Sequence, residues 1–302
     1  MTLPPALRGP VEAAIAGAGA GTRVTVTRRV TGGCIHHGTR LETDAGVALF
    51  LKWSEGAMPG MFAAEADGLC ALRRAGTARV PEPLAWKVGG PDGSSWLLME
   101  YVEPGPVGAG GRRALGESVA RLHGAVDPAR EVRFGWHRDN WIGSLPQANP
   151  PAADWGAFWR DHRLEPQLER ARAAGRLGDA VLDRAAELAG RSLGHVRSPE
   201  LIHGDLWSGN TFHDAEGAPV LIDPAVCRGD GEVDLAMSEL FGGFGADFYA
   251  AYDAVRPISS EYHAFARDLY QLYYLLVHVN LFGASYEASA LAAARRAVAA
   301  TG

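Results

Sequence analysis

Two short apolar runs in this chain each end in an aspartate. Leu201-Ile202 leads into His203-Gly204-Asp205, with Asn210 five positions after Asp205. Val220-Leu221-Ile222 then leads into Asp223-Pro224, thirteen positions after Asn210. A carboxylate can accept a hydroxyl proton, and a second carboxylate with an amide oxygen offers the hard oxygen donors that suit Mg²⁺. Taken alone, the first motif could be an Asp-Gly turn beside a strand with Asn210 as a cap. The repeat of strand-then-Asp at this spacing argues for chemistry instead.

The pattern resembles the catalytic segment of the protein-kinase-like superfamily, in which an Asp-x-x-x-x-Asn loop precedes a metal-binding Asp. On that resemblance Asp205 is the base that accepts or orients the acceptor hydroxyl proton, and Asn210 and Asp223 hold Mg²⁺ on the phosphates of ATP. The remaining machinery is then expected upstream. Val47-Ala48-Leu49-Phe50-Leu51-Lys52 reads as a buried strand ending in lysine, and Glu65 lies on the next predicted helix. The resemblance implies that Lys52 pairs with the α/β-phosphates and with Glu65. The plainer alternative is a strand-end surface lysine. Thr31-Gly32-Gly33-Cys34 sits between the first two strands, where glycine lets backbone N–H groups approach a phosphate. It is not G-x-G-x-x-G and could be an ordinary hairpin loop. Trp96 to Val102 is an apolar strand. In the superfamily such a segment receives adenine, so Glu100 and Val102 would supply main-chain groups and Met99 the back of the pocket.

These residues need elements to hold them. Residues 5–18 read as a helix, and 23–53 as strands with a hairpin signal at Asp44-Ala45-Gly46. A helix over 60–75 ends near Gly76, and strands at 84–88 and 95–102 flank a GGPDGS turn. After the Gly/Pro-rich stretch 104–111 helical periodicity dominates, at 111–125, 153–173, 178–192, 232–240, 245–254 and 260–281, with short strands at 200–203 and 211–223. The expected fold is α+β and bilobal, protein-kinase-like. Residues 1–102 form the β-rich nucleotide-binding lobe, a five-stranded antiparallel sheet plus helix. Residues 103–302 form the mostly helical lobe with the catalytic loop and acceptor site, and a cleft lies between the two.

Composition excludes other classes. The 302 residues carry a net charge of −6, which gives no footprint for non-specific nucleic-acid binding. No apolar run reaches membrane-spanning length; the richest, Leu269 to Phe282, carries His278 and Asn280. The N-terminus lacks a basic region followed by an apolar core, and Cys34, Cys70 and Cys227 form no metal-ligand spacing. A cytoplasmic monomer or homodimer with no nucleic-acid or membrane partner is expected. Of 29 Lys and Arg residues only Lys52 and Lys87 are lysine, so a surviving lysine draws attention.

HGDLWSGN, IDPA, GDGEVDLAMSELFGGF, FGWHRDNWIGSLPQ, HRLEPQL and DLYQLYYLL together resemble the fructosamine kinase (ketosamine-3-kinase) family, within the aminoglycoside phosphotransferase and choline kinase branch. The similarity spans roughly residues 20–285. It implies ATP-dependent phosphorylation of the 3-hydroxyl of a ketoamine, the adduct of a sugar and an amine. The 3-phosphate destabilises the adduct, so the activity counts as deglycation. By motif match Asp205, Lys52 and Glu65 are catalytic, and Asn210 and Asp223 are metal ligands. Gly32, Gly33, Cys34, Lys52, Met99, Glu100 and Val102 are nucleotide-binding. Trp207 could stack on the sugar or pack in the lobe core. His137, Asn140 and Trp141, in the aromatic and polar segment 134–149, are substrate candidates, with a structural loop as the alternative.

There are departures. Cys227-Arg228 stands where an aromatic pair is usual and Gly231 where an Arg is common; His36-His37 and Trp53 are unusual. They put the acceptor's identity, not phosphotransfer, in question. Cys34 matches a cysteine often present in the family's nucleotide loop, where redox control is proposed; an inert small residue is the reading preferred here. Asp234 is read as bracing the catalytic loop. A kinase for another small hydroxyl acceptor, aminoglycoside- or choline-like, is the nearest competing function. A nucleotide-binding pseudokinase is the more distant one.

Overall fold

Leu7, Val11 and Ile15 recur every fourth residue, the spacing that lines one face of a helix. In the computed structural model they lie on α1 (Pro5–Gly17) and are buried against a sheet. The structure describes residues 3–30, 36–55, 59–87, 89, 94–125, 133–196 and 198–301. They divide into two units, Met1–Gly111 with Gly209–Pro224, and Arg112–Ser208 with Ala225–Gly302.

In the first unit α1 is followed by β1 (Val24–Val30), β2 (His37–Thr43), β3 (Ala48–Ser54), α2 (Met61–Ala75), β4 (Pro83–Lys87) and β5 (Ser95–Glu100). The strands form one antiparallel sheet in the order β1-β2-β3-β5-β4. Leu49, Leu51 and Trp53 of β3 join the α1 residues, Leu41, Trp96 and Leu98 in one apolar core. Strand alternation therefore turns Lys52 to the other face, where Glu65 of α2 meets it. His37 and Trp53 pair across β2 and β3 and stack at 4.3 Å, so these two unusual residues accommodate each other.

In the second unit α3 (Gly111–His123) precedes a small hairpin of β6 (Asn140–Ile142) and β7 (Leu145–Gln147). The chain then forms α4 (Trp155–Trp159), a wide turn over Arg160–Leu164, α5 (Glu165–Ala173), α6 (Val181–Ser192) and β8 (Glu200–Ile202). It returns to the first unit for β9 (Thr211–His213) and β10 (Pro219–Leu221). The second unit resumes with β11 (Cys227–Gly229), α7 (Glu232–Leu240), α8 (Ala246–Val255), α9 (Arg267–Phe282) and α10 (Glu287–Ala299). Helix α9 is buried over most of its length, as expected for a helix apolar on every side.

Two features differ from expectation. The first unit extends past 102 to Gly111 and takes in 209–224. The cause is backbone pairing: Arg79 N–H donates to Pro219 O, Leu221 N–H to Arg79 O, and Gly105 N–H to His213 O. Helix α10 has no expected counterpart. Its inner face is Ala290, Ala293, Ala294 and Ala297, all fully buried, and a ridge of alanines gives little hydrophobic contrast to read. No helix of the described residues is long and apolar enough to cross a membrane.

Candidate active site

In the first unit Lys52 Nζ donates to both oxygens of Glu65, at 2.8 and 2.9 Å, and to Asp223 Oδ1 at 2.9 Å. Lys52 is 8% exposed. Burial disfavours its charge, but Asp223 and Glu65 more than offset this and hold its pKa above the ordinary lysine value. Burial pushes Glu65 the other way, up to about 7, with the Asp223 carboxylate adding to the rise and Lys52 opposing it. The lysine thus links the sheet, helix α2 and the segment after β10.

Asp223 has φ 55°, in the left-handed region that Asp tolerates better than most residues. Ile222 N–H donates to Asn210 O at 3.0 Å, which ties one expected metal ligand, Asn210, to the residue before the other, Asp223. A carboxylate and an amide carbonyl held this way fit the hard oxygen donor set of a magnesium ion shared with phosphates.

Met99 is buried and pairs with Phe50, and Val102 is buried just beyond β5. The Glu100 carboxylate accepts from Arg79 at 2.8 Å and from Glu82 N–H at 3.2 Å. Its side chain is therefore occupied, and its own N–H donates to Glu82 O at 2.8 Å. Gly32, Gly33 and Cys34 lie outside the described residues. The neighbouring His36 packs its ring on Phe62 at 5.1 Å, and burial with the nearby Lys52 lowers its pKa to about 4.

The turn expected to carry the base belongs to the second unit. Gly204 has φ 80°, and an added Cβ would sit 2.1 Å from Ala225 O, so only glycine fits. Asp234, fully buried at the start of α7, accepts from His203 N–H at 2.7 Å and Gly204 N–H at 2.8 Å. This is the brace expected of it. Tyr274 of α9 donates to Gly204 O at 2.7 Å, and Ala225 N–H donates to His203 O at 2.9 Å. Asp205, half-buried, leaves this clamped turn with its own N–H donating to His203 Nδ1 at 3.2 Å.

The substrate candidates separate. Half-buried Trp207 begins an aromatic row: Phe241 at 6.1 Å, His278 a further 4.6 Å on, then Phe282 and Tyr286 at 5.4 and 5.0 Å from His278. Asn140 is buried, with Nδ2 donating to Val226 O at 2.8 Å and Oδ1 accepting from Gln147 at 2.7 Å. Its amide ties the β6–β7 hairpin to the segment after Pro224 rather than facing a ligand. His137 is exposed against Trp136, and Trp141 is half-buried on β6. Cys227 is 2% exposed, and burial raises its thiol pKa, so it is a core residue rather than a pocket lining. Phe241 was not singled out from the sequence, and His278 was noted there only as a polar residue on an apolar helix. The signal was the i, i+4, i+8 spacing of Tyr274, His278 and Phe282 on one face of α9.

A family model described as Fructosamine kinase matches residues 11–299. A Synechocystis protein named "Probable ketoamine kinase" is 42% identical over 271 residues, 89% of this chain and 88% of that one. The chloroplastic protein-ribulosamine 3-kinase of Oryza sativa subsp. indica is 40% identical over 288 residues, 93% and 81% of the two chains. The crystal structure of a candidate fructosamine-3-kinase from Thermobifida fusca superposes with a TM-score of 0.81 at 33% identity, covering 95% of this chain and 99% of that one.

Proposed function

Because the chain belongs to the fructosamine kinase family, we propose that it transfers the γ-phosphoryl group of ATP to the 3-hydroxyl of a ketoamine, with Asp205 as the base. It is an ATP-dependent kinase, and its acceptors are ketoamines of the kind its relatives are named for. The observation that carries the reading is the Lys52, Glu65 and Asp223 cluster, its lysine and glutamate buried, within a chain matched over residues 11–299.

Each residue has one task. The Glu65 carboxylate fixes the Lys52 ammonium, which binds the α- and β-phosphates as a compact point charge. The main chain of Glu100 and Val102 receives the adenine, with Met99 behind it. Asn210 and Asp223 would hold magnesium, which when bound neutralises charge on the phosphates. Asp205 accepts the proton of the 3-hydroxyl as the sugar oxygen bonds to the γ-phosphorus. The bond from that phosphorus to the bridging oxygen breaks, and the electron pair leaves with ADP. The Trp207–Phe241–His278 row offers a face for the sugar and its amine substituent. A protonated amine over such rings is attracted by their quadrupoles.

The test is ADP release with a panel of acceptors: fructose-, ribulose- and erythrulose-derived amine adducts, against an aminoglycoside and choline. Turnover of at least one ketoamine with 3-phosphate as product is expected. Turnover confined to the aminoglycoside or choline would overturn the acceptor assignment.

A further inference from the structure

Asp234 has a third donor besides the two backbone N–H groups of the catalytic turn. His123, at the end of α3, places Nε2 3.0 Å from Asp234 Oδ2. Its other nitrogen, Nδ1, lies 2.8 Å from the hydroxyl of Tyr252 on α8. The side chains of His123 and Asp234 and the whole of Tyr252 are excluded from solvent. Arg256, one turn beyond Tyr252, pairs with Glu200.

The order of donors follows from their chemistry. A carboxylate can only accept, so the nitrogen facing Asp234, His123 Nε2, is the one that donates. Burial holds the Tyr252 hydroxyl well above the ordinary tyrosine pKa, so it keeps its proton. That one proton is then given to His123 Nδ1, which must accept. The imidazole proton is thereby placed on Nε2, where it donates to Asp234. Both bonds in the chain Tyr252, His123, Asp234 point toward the carboxylate that holds this turn.

A separate observation fits. An added Cβ at Gly231 would lie 2.5 Å from His123 Nδ1 and 2.6 Å from Glu200 Oε2. Glycine at this position makes room for the ring.

We propose that His123 is a positioning residue for phosphoryl transfer: held by Tyr252 as its Nε2–H tautomer, it fixes Asp234 and through it the turn that carries Asp205. This rests on the reading of Asp205 as the base. His123 touches neither substrate; it acts through Asp234.

The tautomer is tested on the unaltered protein by ¹⁵N spectroscopy of labelled histidine. Nε2 is expected to carry the proton and Nδ1 to be bare, and the reverse would overturn the proposal whatever Asp205 does. Kinetics test the consequence. His123→Leu should lower kcat about 10- to 100-fold, the scale of a slightly misplaced catalytic group, while KM for ATP stays within about twofold. His123→Gln puts an amide N–H near the Nε2 position and should restore kcat to within about threefold. Tyr252→Phe should cost about tenfold in the histidine protein and nothing further in the His123→Gln background, because an amide has no tautomer to set. A purely structural role would instead make Tyr252→Phe equally costly in both backgrounds, and that result would refute the proposal. If Asp205→Asn kept its turnover, the base assignment would fail while the tautomer result stood apart from it.

Discussion

Replacing Lys52 by arginine keeps the charge and removes the geometry, which makes it the sharpest probe of the nucleotide site. Lys52 Nζ makes three contacts of 2.8 to 2.9 Å with two carboxylates on different elements. Hydrogen bonds to charged groups contribute about 1.5–3 kcal/mol each. The planar guanidinium is bulkier and cannot place one point between Glu65 and Asp223 where the lysine itself is only 8% exposed. If it kept one of the three contacts, two would be lost. The lower end of the range applies because the charge remains, giving about 3 kcal/mol. At about 1.36 kcal/mol per factor of ten, kcat/KM for ATP should fall about 10²-fold. Lys87→Arg, on the edge strand β4, supplies the control and should stay within about twofold. Steady-state kinetics with varied ATP at saturating ketoamine reads both. Glu65→Gln should shrink the penalty of Lys52→Arg, since residues that act as a unit are not additive. A Lys52→Arg protein within about threefold of the parent, or an equal loss in Lys87→Arg, would refute the reasoning.

Asp205→Asn should lower kcat about 10³-fold with KM for both substrates little changed, the expected cost of losing a general base; a kcat within tenfold of the parent counts against that role. Trp207→Ala should raise KM for the ketoamine about tenfold and leave KM for ATP alone, and an unchanged acceptor KM would remove the aromatic row from substrate binding. The lowered pKa of His36 makes a stability prediction. Its folded value of about 4 lies below the unfolded value of 6.5, so between these only the unfolded chain takes up the proton. The contribution is fully present above pH 6.5 and is lost as the pH falls toward 4. Melting temperatures from pH 4 to 7 should therefore slope less for His36→Asn, and parallel slopes would contradict it.

The residues that meet at Lys52 were legible where the sequence carries them in local spacing. Asp205, Asn210 and Asp223 follow two strand-like runs, and Lys52 ends a third, so type, order and separation all survive in the linear text. The sheet was legible too, because β3 and β5 are apolar runs, β5 buried from Ser95 to Met99. Asn140 shows where such reading fails. A polar residue in an aromatic loop looks like a ligand contact, but its amide is taken by Val226 and Gln147, one of them 86 positions away. Burial and long-range hydrogen bonding leave no trace in the neighbouring residues.

His123 shows the same limit from the other side. Nothing around it announces a role, because its two partners lie 111 and 129 positions further on. Its importance comes from an energetic demand that only the fold creates. Once α7 buries Asp234 completely, that carboxylate must find donors, since an uncompensated buried charge is costly. The catalytic turn supplies two and cannot supply more, because Asp205 N–H is directed to His203 Nδ1. The third must come from a helix remote in sequence, and it must be a donor at one nitrogen only, since Tyr252 fills the other side. A histidine between a tyrosine and a buried aspartate meets both conditions, which ties the geometry of the base to residues that never approach the substrate.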